Sequence, residues 1–550
     1  MRAMRHFAAA VALLIPFAVF AQVPYDRLKH SDHEPQNWLT YGGNYQSQRF
    51  SGLKQITPRN VASLKVAWVY QIRGNGIVET SPIVVDGIMY VTEPPTSITA
   101  LDARTGKALW HWSAAMPRDL FTVGFFPTNR GVAVLGDLVY VATVDNYLVA
   151  LDAKSGVVRW RTHYADYKQG YGTTEAPLAI DGKIVVGPAG GEAGAHGFLA
   201  AFDAQTGKEL WRLYTVARSP SDPGADTWAN GSWFNGGGTM WNAGSYDPET
   251  NTLYWGTGNP APDWNGDGRL GDNLFTCSLI AVDANTGKMK WYFQFSPHET
   301  HDWDSAQPPI LFDAAVKGKQ RKLVSLANRN GFYYVLDRTT GEFLSGIPFV
   351  KQTWAQGLDA KGRPITLPNI EPTVEGQLVY PAITGGINWN SPSYSPLTGL
   401  FYVPAREAGS YYIKGEEKMA PGNSVGMVGG GGGGAKFMTG DDVYTTVRGL
   451  EATTGKKKWE FKMTGDSWTG TLATAGGLVF SADAGSNFFA LDALTGKPLW
   501  RLQVGTSVRA NPITYAVDGE QYVVAVAGNS VFSFNLPRVA QAPQAPAQGH

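Results

Sequence analysis

Residues 100–110 read ALDARTGKALW. The phrase returns as ALDAKSGVVRW at 150–160, AFDAQTGKELW at 201–211, AVDANTGKMKW at 281–291, GLEATTGKKKW at 449–459 and ALDALTGKPLW at 490–500. A seventh stretch, VLDRTTGEFLS at 335–345, keeps everything but the terminal Trp. Each copy has an apolar strand end, then an Asp-x-x-Thr-Gly turn in which Gly can take positive φ, then a short strand ending in Trp. Trp110, Trp160 and Trp211 are 50 and 51 residues apart, and Trp459 and Trp500 are 41 apart. That period is long enough for one four-stranded supersecondary unit. One such sheet cannot bury both its faces, so the units must stack. Radial stacking leaves only short, protected edges, which predicts an all-β propeller forming one domain however many blades it has.

Working outward, LKVAWVYQI at 64–72 reads as a first strand, and residues 22–60 as an extended opening segment. The strands QYVVAVAGN and SVFSFNL, 521–536, have no copies after them, so pairing with the N-terminal strand is expected to close the ring. Residues 22–537 are therefore expected to be one domain, and 538–550 a Pro/Ala/Gln tail with no means of packing. The run GMVGGGGGGAKFMTG, 426–440, lacks the ending of a phosphate loop and reads as a flexible surface loop.

The bulk numbers agree: 65 Gly, 33 Pro and 18 Trp suit many short strands, tight turns and large rings packed between sheets. With 46 basic and 46 acidic residues, the charge balance points to neither nucleic acid nor an anionic membrane. Arg2, Arg5 and His6 precede an apolar run from Phe7 to Phe20, and Val19 and Ala21 are small residues suited to a cleavage site. Residues 1–21 are thus expected to be a secretory signal, and the mature chain periplasmic. The run is short for a membrane anchor. Cys277 is the single cysteine, which rules out an intrachain disulfide, a Cys-rich zinc site and a C-x-x-C-H haem attachment. Any electron carrier is then a separate protein.

PHETHDWD at 297–304 places three acids and two histidines in eight positions. His298 and His301 are three apart in a β context, so this is not the zinc-protease helix motif. If the segment is a strand, Asp302 and Asp304 point to one side and can face one hard cation, although a solvated loop is the plainer reading of these residues alone. DWNGDG at 263–268 begins like an EF-hand loop, but Leu274 stands where a bidentate Glu is needed, so it reads as a Gly/Asp turn. GTGNP at 256–260 is no dinucleotide fingerprint, because Pro260 blocks it and no crossover helix follows.

The order of these motifs resembles the pyrroloquinoline quinone (PQQ) dependent alcohol dehydrogenases of the methanol-dehydrogenase type, over nearly all of the mature chain. The resemblance implies an eight-bladed propeller whose repeated phrase docks each Trp between neighbouring blades. It implies cofactor contacts from Glu79, from Arg130 to a cofactor carboxylate, and from Thr143. Ala189, Gly190 and Gly191 would lie over one face of the cofactor and Trp241 under the other. Arg329 would sit beside the quinone oxygens, with Asn388 and Trp468 completing the set. Glu192, Asn259 and Asp302 would hold a metal ion. The added carboxylate of Asp304 resembles the lanthanide-dependent members, and extra negative charge favours a trivalent ion over calcium. By the same resemblance, Asp302 would take the alcohol proton while hydride passes to the quinone. Arg329 would stabilise the growing oxygen charge, and a cytochrome c would accept the electrons.

This sequence also departs from the pattern. The family's adjacent cysteines correspond to Gly124 and Phe125, so Phe125 or Phe126 is expected to cover that cofactor face. Ala189 replaces a usual Ser, and His301 stands where Trp is common. These departures keep a sugar or aldehyde dehydrogenase in view. A non-enzymatic envelope scaffold is the other alternative, opposed by the joint presence of Glu192, Asn259, Asp302 and Arg329. The residues leave the oligomeric state open, a homodimer included.

Overall fold

A computed structural model describes residues 23–74, 76–120, 128–415, 433–440 and 442–537. The acid of each repeated phrase, Asp in all copies but Glu451 in GLEATTGKKKW, helps build its own turn. In the first, Asp102 Oδ1 accepts the N–H groups of Arg104 and Thr105 at 2.9 and 3.1 Å, and Gly106 takes φ +73°. A register shift between Ala100 and Leu101 follows on the same strand pair, and each later copy has an equivalent bulge.

Five of the six phrase Trp rings then work across to the next sheet in one way, while Trp500 packs edge-on against Phe534 of the next sheet. The Trp110 indole N–H donates to the carbonyl of Ala153 at 3.0 Å, and its ring lies so close over Gly156 that a Cβ there would come within 2.5 Å of it. Trp160 does the same to Ala204 and Gly207, Trp211 to Ala284 and Gly287, Trp291 to Arg338 and Gly341, and Trp459 to Ala493 and Gly496. The Gly of each phrase is therefore doubly required, by its positive φ and by the ring above it. Trp68, on the first strand and outside any phrase, covers Gly106 and donates to Ala103. Where the phrase ends in Ser345 instead of Trp, Tyr333 Oη donates to the Ala452 carbonyl at 2.8 Å, and Tyr333 and Ile347 lie over Gly455.

Among the described residues, seven sheets have four strands and one has five. A representative sheet runs Ile83–Val85, Ile88–Glu93, Ser97–Asp102, Ala108–Ser113, antiparallel throughout. Its first three strands are almost wholly buried, while the fourth alternates half-buried and exposed residues, as a rim strand should. One sheet joins the two ends of the chain: Lys65–Gln71 pairs antiparallel with Ser530–Asn535, with Trp68 opposite Ser533. The expected closure is thus present, and the fold is an all-β propeller.

Two expectations need correction. The opening segment is not simply extended: it forms a helix at Tyr25–Lys29, a 3-10 turn at Ser31–His33, and a short strand Phe50–Ser51 running parallel to Leu472–Thr474. Buried Arg49 fastens it by donating to the carbonyls of Tyr41, Thr471 and Pro512. In the Gly-rich run, Gly434–Phe437 is a strand paired with Ser410–Ile413, because the ladder supplies the hydrogen bonds that Gly alone cannot. The predicted signal, the tail, and Gly124, Phe125 and Phe126 lie outside the described residues. No helix among the described residues is long and apolar enough to cross a membrane.

Candidate active site

The repeated turns join the third and fourth strands of each sheet. In an antiparallel sheet, the opposite end holds both the segment leading into the first strand and the connection from second to third. The candidate residues occupy those two tiers. Glu79, Arg130, Thr174, Trp241, Asp304, Asn388, Trp468 and Arg509 each stand a few residues ahead of a first strand, those strands being Ile83–Val85, Ala133–Leu135, Leu178–Ile180, Ser245–Asp247, Ile310–Val316, Ser393–Ser395, Leu472–Thr474 and Ile513–Val517. Ala189, Gly190, Glu192, Asn259 and Arg329 come from second-to-third connections. Quasi-equivalent loops of separate sheets thereby meet around one cavity of about 390 Å³.

Glu79, Arg130, Ala189, Gly190, Glu192, Trp241, Asp302, Asp304, Arg329, Asn388 and Trp468 all line it. Three expected residues do not. Asn259 and Gly191 lie just behind the wall, a Cβ on Gly191 coming 3.4 Å from Asn259 Oδ1. Thr143 spends its hydroxyl locally, donating to Asp145 Oδ1 at 2.5 Å and accepting from the Tyr147 N–H. Thr174, Trp389, Thr384 and Arg509 line the cavity without having been singled out. The signal that could have found them is position, since Thr174 and Arg509 stand at the same offset from a first strand as Glu79 and Trp241.

At one end of the cavity, carboxylate oxygens of Glu192, Asp302 and Asp304 all lie within 4.8 Å of one another. Arg329 bridges two of them, Nη2 to Asp302 Oδ2 and Nη1 to Asp304 Oδ2, both at 2.9 Å. Asp304 is further fixed by the Trp241 indole N–H at 2.8 Å and the Asn259 backbone N–H at 2.5 Å. Asp302 Oδ1 is buried with no hydrogen-bond partner among the described residues. Asp302 and Asp304 do not share a strand, and the loop they occupy, the plainer reading of the sequence, is buried and not solvated. Asp302 has φ +61°, yet both reach the same cluster.

Burial and mutual repulsion act together here. Burial raises the Asp302 carboxyl well above the usual range, Arg329 opposes this, and Asp304 and Glu192 add to it. Asp304 is likewise raised, mainly by burial. Glu192 is pushed up to about 7 by burial and then by the Asp304 charge. Three acids crowded against one arginine hold more negative charge than that arginine neutralises, which is what a hard cation requires of its oxygen donors.

At the other end, Arg130 pairs with Glu79 at 2.8 Å and donates to the Thr174 hydroxyl at 2.7 Å. Its guanidinium lies 5.1 Å from the Trp241 ring centroid and 5.3 Å from that of Trp389. Trp389 stacks on Trp468 with an interplanar angle of 15°, and Arg509 lies over Trp468. The walls are thus flat aromatic rings and glycine backbone, with guanidinium groups at one end and a carboxylate cluster at the other. That arrangement fits a flat, polyanionic cofactor that shares a metal ion with the protein.

Such a cavity at the mouth of a propeller suits a quinone-binding dehydrogenase, and comparison with known proteins shows the family. The family model for the PQQ glucose/ethanol/alcohol dehydrogenase β-propeller domain matches residues 38–357 and 462–523. The quinoprotein alcohol dehydrogenase PedH of Pseudomonas putida is 37% identical, over 94% of this chain and 90% of its own. The quinohemoprotein alcohol dehydrogenase ADH-IIG of Pseudomonas putida is 40% identical, over 94% of this chain and 77% of its own. A solved europium-containing methanol dehydrogenase superposes with a TM-score of 0.87 at 31% identity, covering 93% of this chain and 100% of that one. The chain belongs to the PQQ-dependent quinoprotein alcohol dehydrogenase family.

Proposed function

We propose that this chain is a periplasmic PQQ-dependent alcohol dehydrogenase. Its eight four- and five-stranded sheets would be the blades of one ring, and Glu192, Asn259, Asp302 and Asp304 would hold one metal ion at the axial cavity. The observation that carries the proposal is the Glu192, Asp302 and Asp304 cluster bridged by Arg329, with Asp302 Oδ1 buried beside it and without a hydrogen-bond partner among the described residues.

When bound, PQQ supplies the hydride acceptor and the metal a Lewis acid. Trp241 and the Ala189–Gly190 backbone would hold its two faces, and Arg130, with Thr174, would meet a carboxylate in a fork suited to that geometry. Thr143, bonded to Asp145, would support the turn and not touch the cofactor. Asp302 Oδ1 would accept the alcohol proton, burial having raised its basicity above that of an ordinary carboxylate. Arg329 would then release part of its hold on the two aspartates to meet negative charge developing on oxygen. Asn388 and Trp468 would complete the walls that exclude water.

Asp304 supports a lanthanide over calcium, because a third carboxylate on one ion favours the higher charge. The single cysteine leaves no haem attachment in the chain, so electrons would pass to a separate cytochrome c. The test is reconstitution with PQQ plus La³⁺ or Ca²⁺. A quinone absorption band and dye-linked oxidation of ethanol are expected, with La³⁺ supporting more activity. A panel that includes aldoses and aldehydes checks the substrate class. No band and no oxidation with either metal would remove the proposal.

A further inference from the structure

PHETHDWD leaves Glu299 without an assigned purpose. The segment 297–304 has no strand ladder to hold it, and it contains two non-glycine residues in the left-handed region, His298 at φ +50° and Asp302 at φ +61°. Such a backbone is disfavoured and persists only where its surroundings fix it. The amides of His301 and Asp302 must also find acceptors, since both residues are buried. Both amides find the same group. Glu299 Oε1 accepts the His301 N–H at 2.5 Å, and Glu299 Oε2 accepts the Asp302 N–H at 3.1 Å.

Glu299 is itself held. Its side chain is buried and its carbonyl accepts from Arg269 Nη2. Arg269, fully buried, also donates to the Pro262 carbonyl at 3.0 Å, the Asp263 carbonyl at 3.3 Å and Asn273 Oδ1 at 2.8 Å. The same Asp263 accepts from the side-chain amide of Asn259. Arg269 therefore ties the loop carrying Asn259 to the loop carrying Asp302. Glu299 lines a neighbouring cavity with His298, His301 and Trp354 and is not part of the lining of the cofactor space, so it meets the acidic cluster only through the Asp302 amide. Beside it, His301 is pinned by stacking on Trp303 at 4.3 Å and by its Nε2 bond to the Ile370 carbonyl at 2.8 Å.

We propose that Glu299 is a positioning residue: by accepting two successive amides on one buried carboxylate, it holds Asp302 in the left-handed conformation that aims Oδ1 at the metal and the alcohol. This rests on the proposed reading of Asp302 as ligand and base. A charged acceptor makes each of these bonds stronger than a neutral one would. Glu299→Gln keeps one acceptor oxygen but turns an NH₂ toward the other amide. A displacement of about 1 Å at a reacting group can cost roughly 10²-fold.

The experiment uses the full mature chain with Tb³⁺ as probe, its luminescence excited through Trp241, alongside ethanol kinetics of the PQQ-reconstituted enzyme. Glu299→Gln is expected to weaken Tb³⁺ binding at least tenfold. It is also expected to lower kcat at least tenfold, with KM within about twofold and PQQ stoichiometry intact. Asp302→Ala should weaken Tb³⁺ to a similar degree, and the double variant should bind no worse than Asp302→Ala alone. Additive losses in the double variant overturn the proposal, because Glu299 would then act on the fold and not through Asp302. Wild-type affinity and kcat in Glu299→Gln overturn it as well. If Glu299→Gln does not fold, Glu299→Asp keeps the charge with a shorter reach and is expected to lose part of both. No loss in either measurement defeats the proposal. A wild-type chain with neither Tb³⁺ binding nor activity would instead defeat the functional reading beneath it.

Discussion

Gly106→Ala and Gly182→Ala form a matched pair that tests whether the repeated phrase is a docking device or only a turn. Both glycines have φ +73°. An added Cβ therefore meets the same backbone penalty at each, about 1–2 kcal/mol. Their surroundings differ: at Gly182 nothing lies within 4 Å of the new atom, whereas at Gly106 it would come 2.5 Å from Trp68 Cε3 and 2.8 Å from Cδ2. Trp68 cannot simply move away, since its indole N–H is bonded to the Ala103 carbonyl at 3.0 Å and its strand closes the ring. Overpacking of this kind adds about 1–3 kcal/mol. Gly106→Ala should thus lose roughly 2–5 kcal/mol in all, and Gly182→Ala only the backbone share. The assay is the urea midpoint at constant slope, followed by intrinsic fluorescence. Equal losses at the two sites would refute the reasoning, because the ring above the glycine would then contribute nothing.

Other consequences follow from the same contacts. Tyr333→Phe should destabilise by about 1–3 kcal/mol, since it leaves the Ala452 carbonyl without its hydroxyl donor. Tyr140→Phe should cost less in the same denaturation assay, because Trp160 also donates to the Ala204 carbonyl. Asp304→Ala should reduce affinity for a trivalent ion more than for a divalent one. With charges in the ratio of three to two, a tenfold calcium loss corresponds to a lanthanide loss of about 30-fold, measured by metal titration. The metal-free protein should lose stability as pH rises from the unfolded carboxylate range to about 7, where Glu192 titrates in the folded state. The sign follows because a raised folded pKa means the native state binds more protons than the unfolded chain over that interval. Glu192's share of the effect should be no more than about 3 kcal/mol and should vanish in saturating La³⁺. A rise in stability over the same interval would contradict it.

The sheets were legible because a phrase met seven times, six of them with Trp at a fixed distance from Gly, encodes the same contact again and again, and the closure because the last strands have no copies after them. Trp68 was not legible as a docking residue, since it lacks the phrase and belongs to the set only through pairing with the far end of the chain. Tyr333 was hidden for a related reason: it replaces a missing Trp from a different strand position. In the site, Asp302 and Asp304 stood out by type, Glu192 and Arg329 were reached only through the family resemblance, and the four do converge. Thr143 did not reach the cavity because its hydroxyl closes a turn with Asp145, a local bond that competes with any distant role. Asp302 and Asp304 were placed on one face by assuming a strand. They share a site because Asp302 turns left-handed in a loop, which periodicity cannot show.

The central claim is most directly tested by comparing wild type with Asp302→Asn after titration with PQQ and La³⁺. The change preserves size and removes the proton acceptor. Both proteins should bind PQQ in equal stoichiometry by absorption, with dye-linked ethanol oxidation present in wild type and abolished in Asp302→Asn. Substantial turnover by the Asn variant, or a wild type that binds no quinone, would contradict the account.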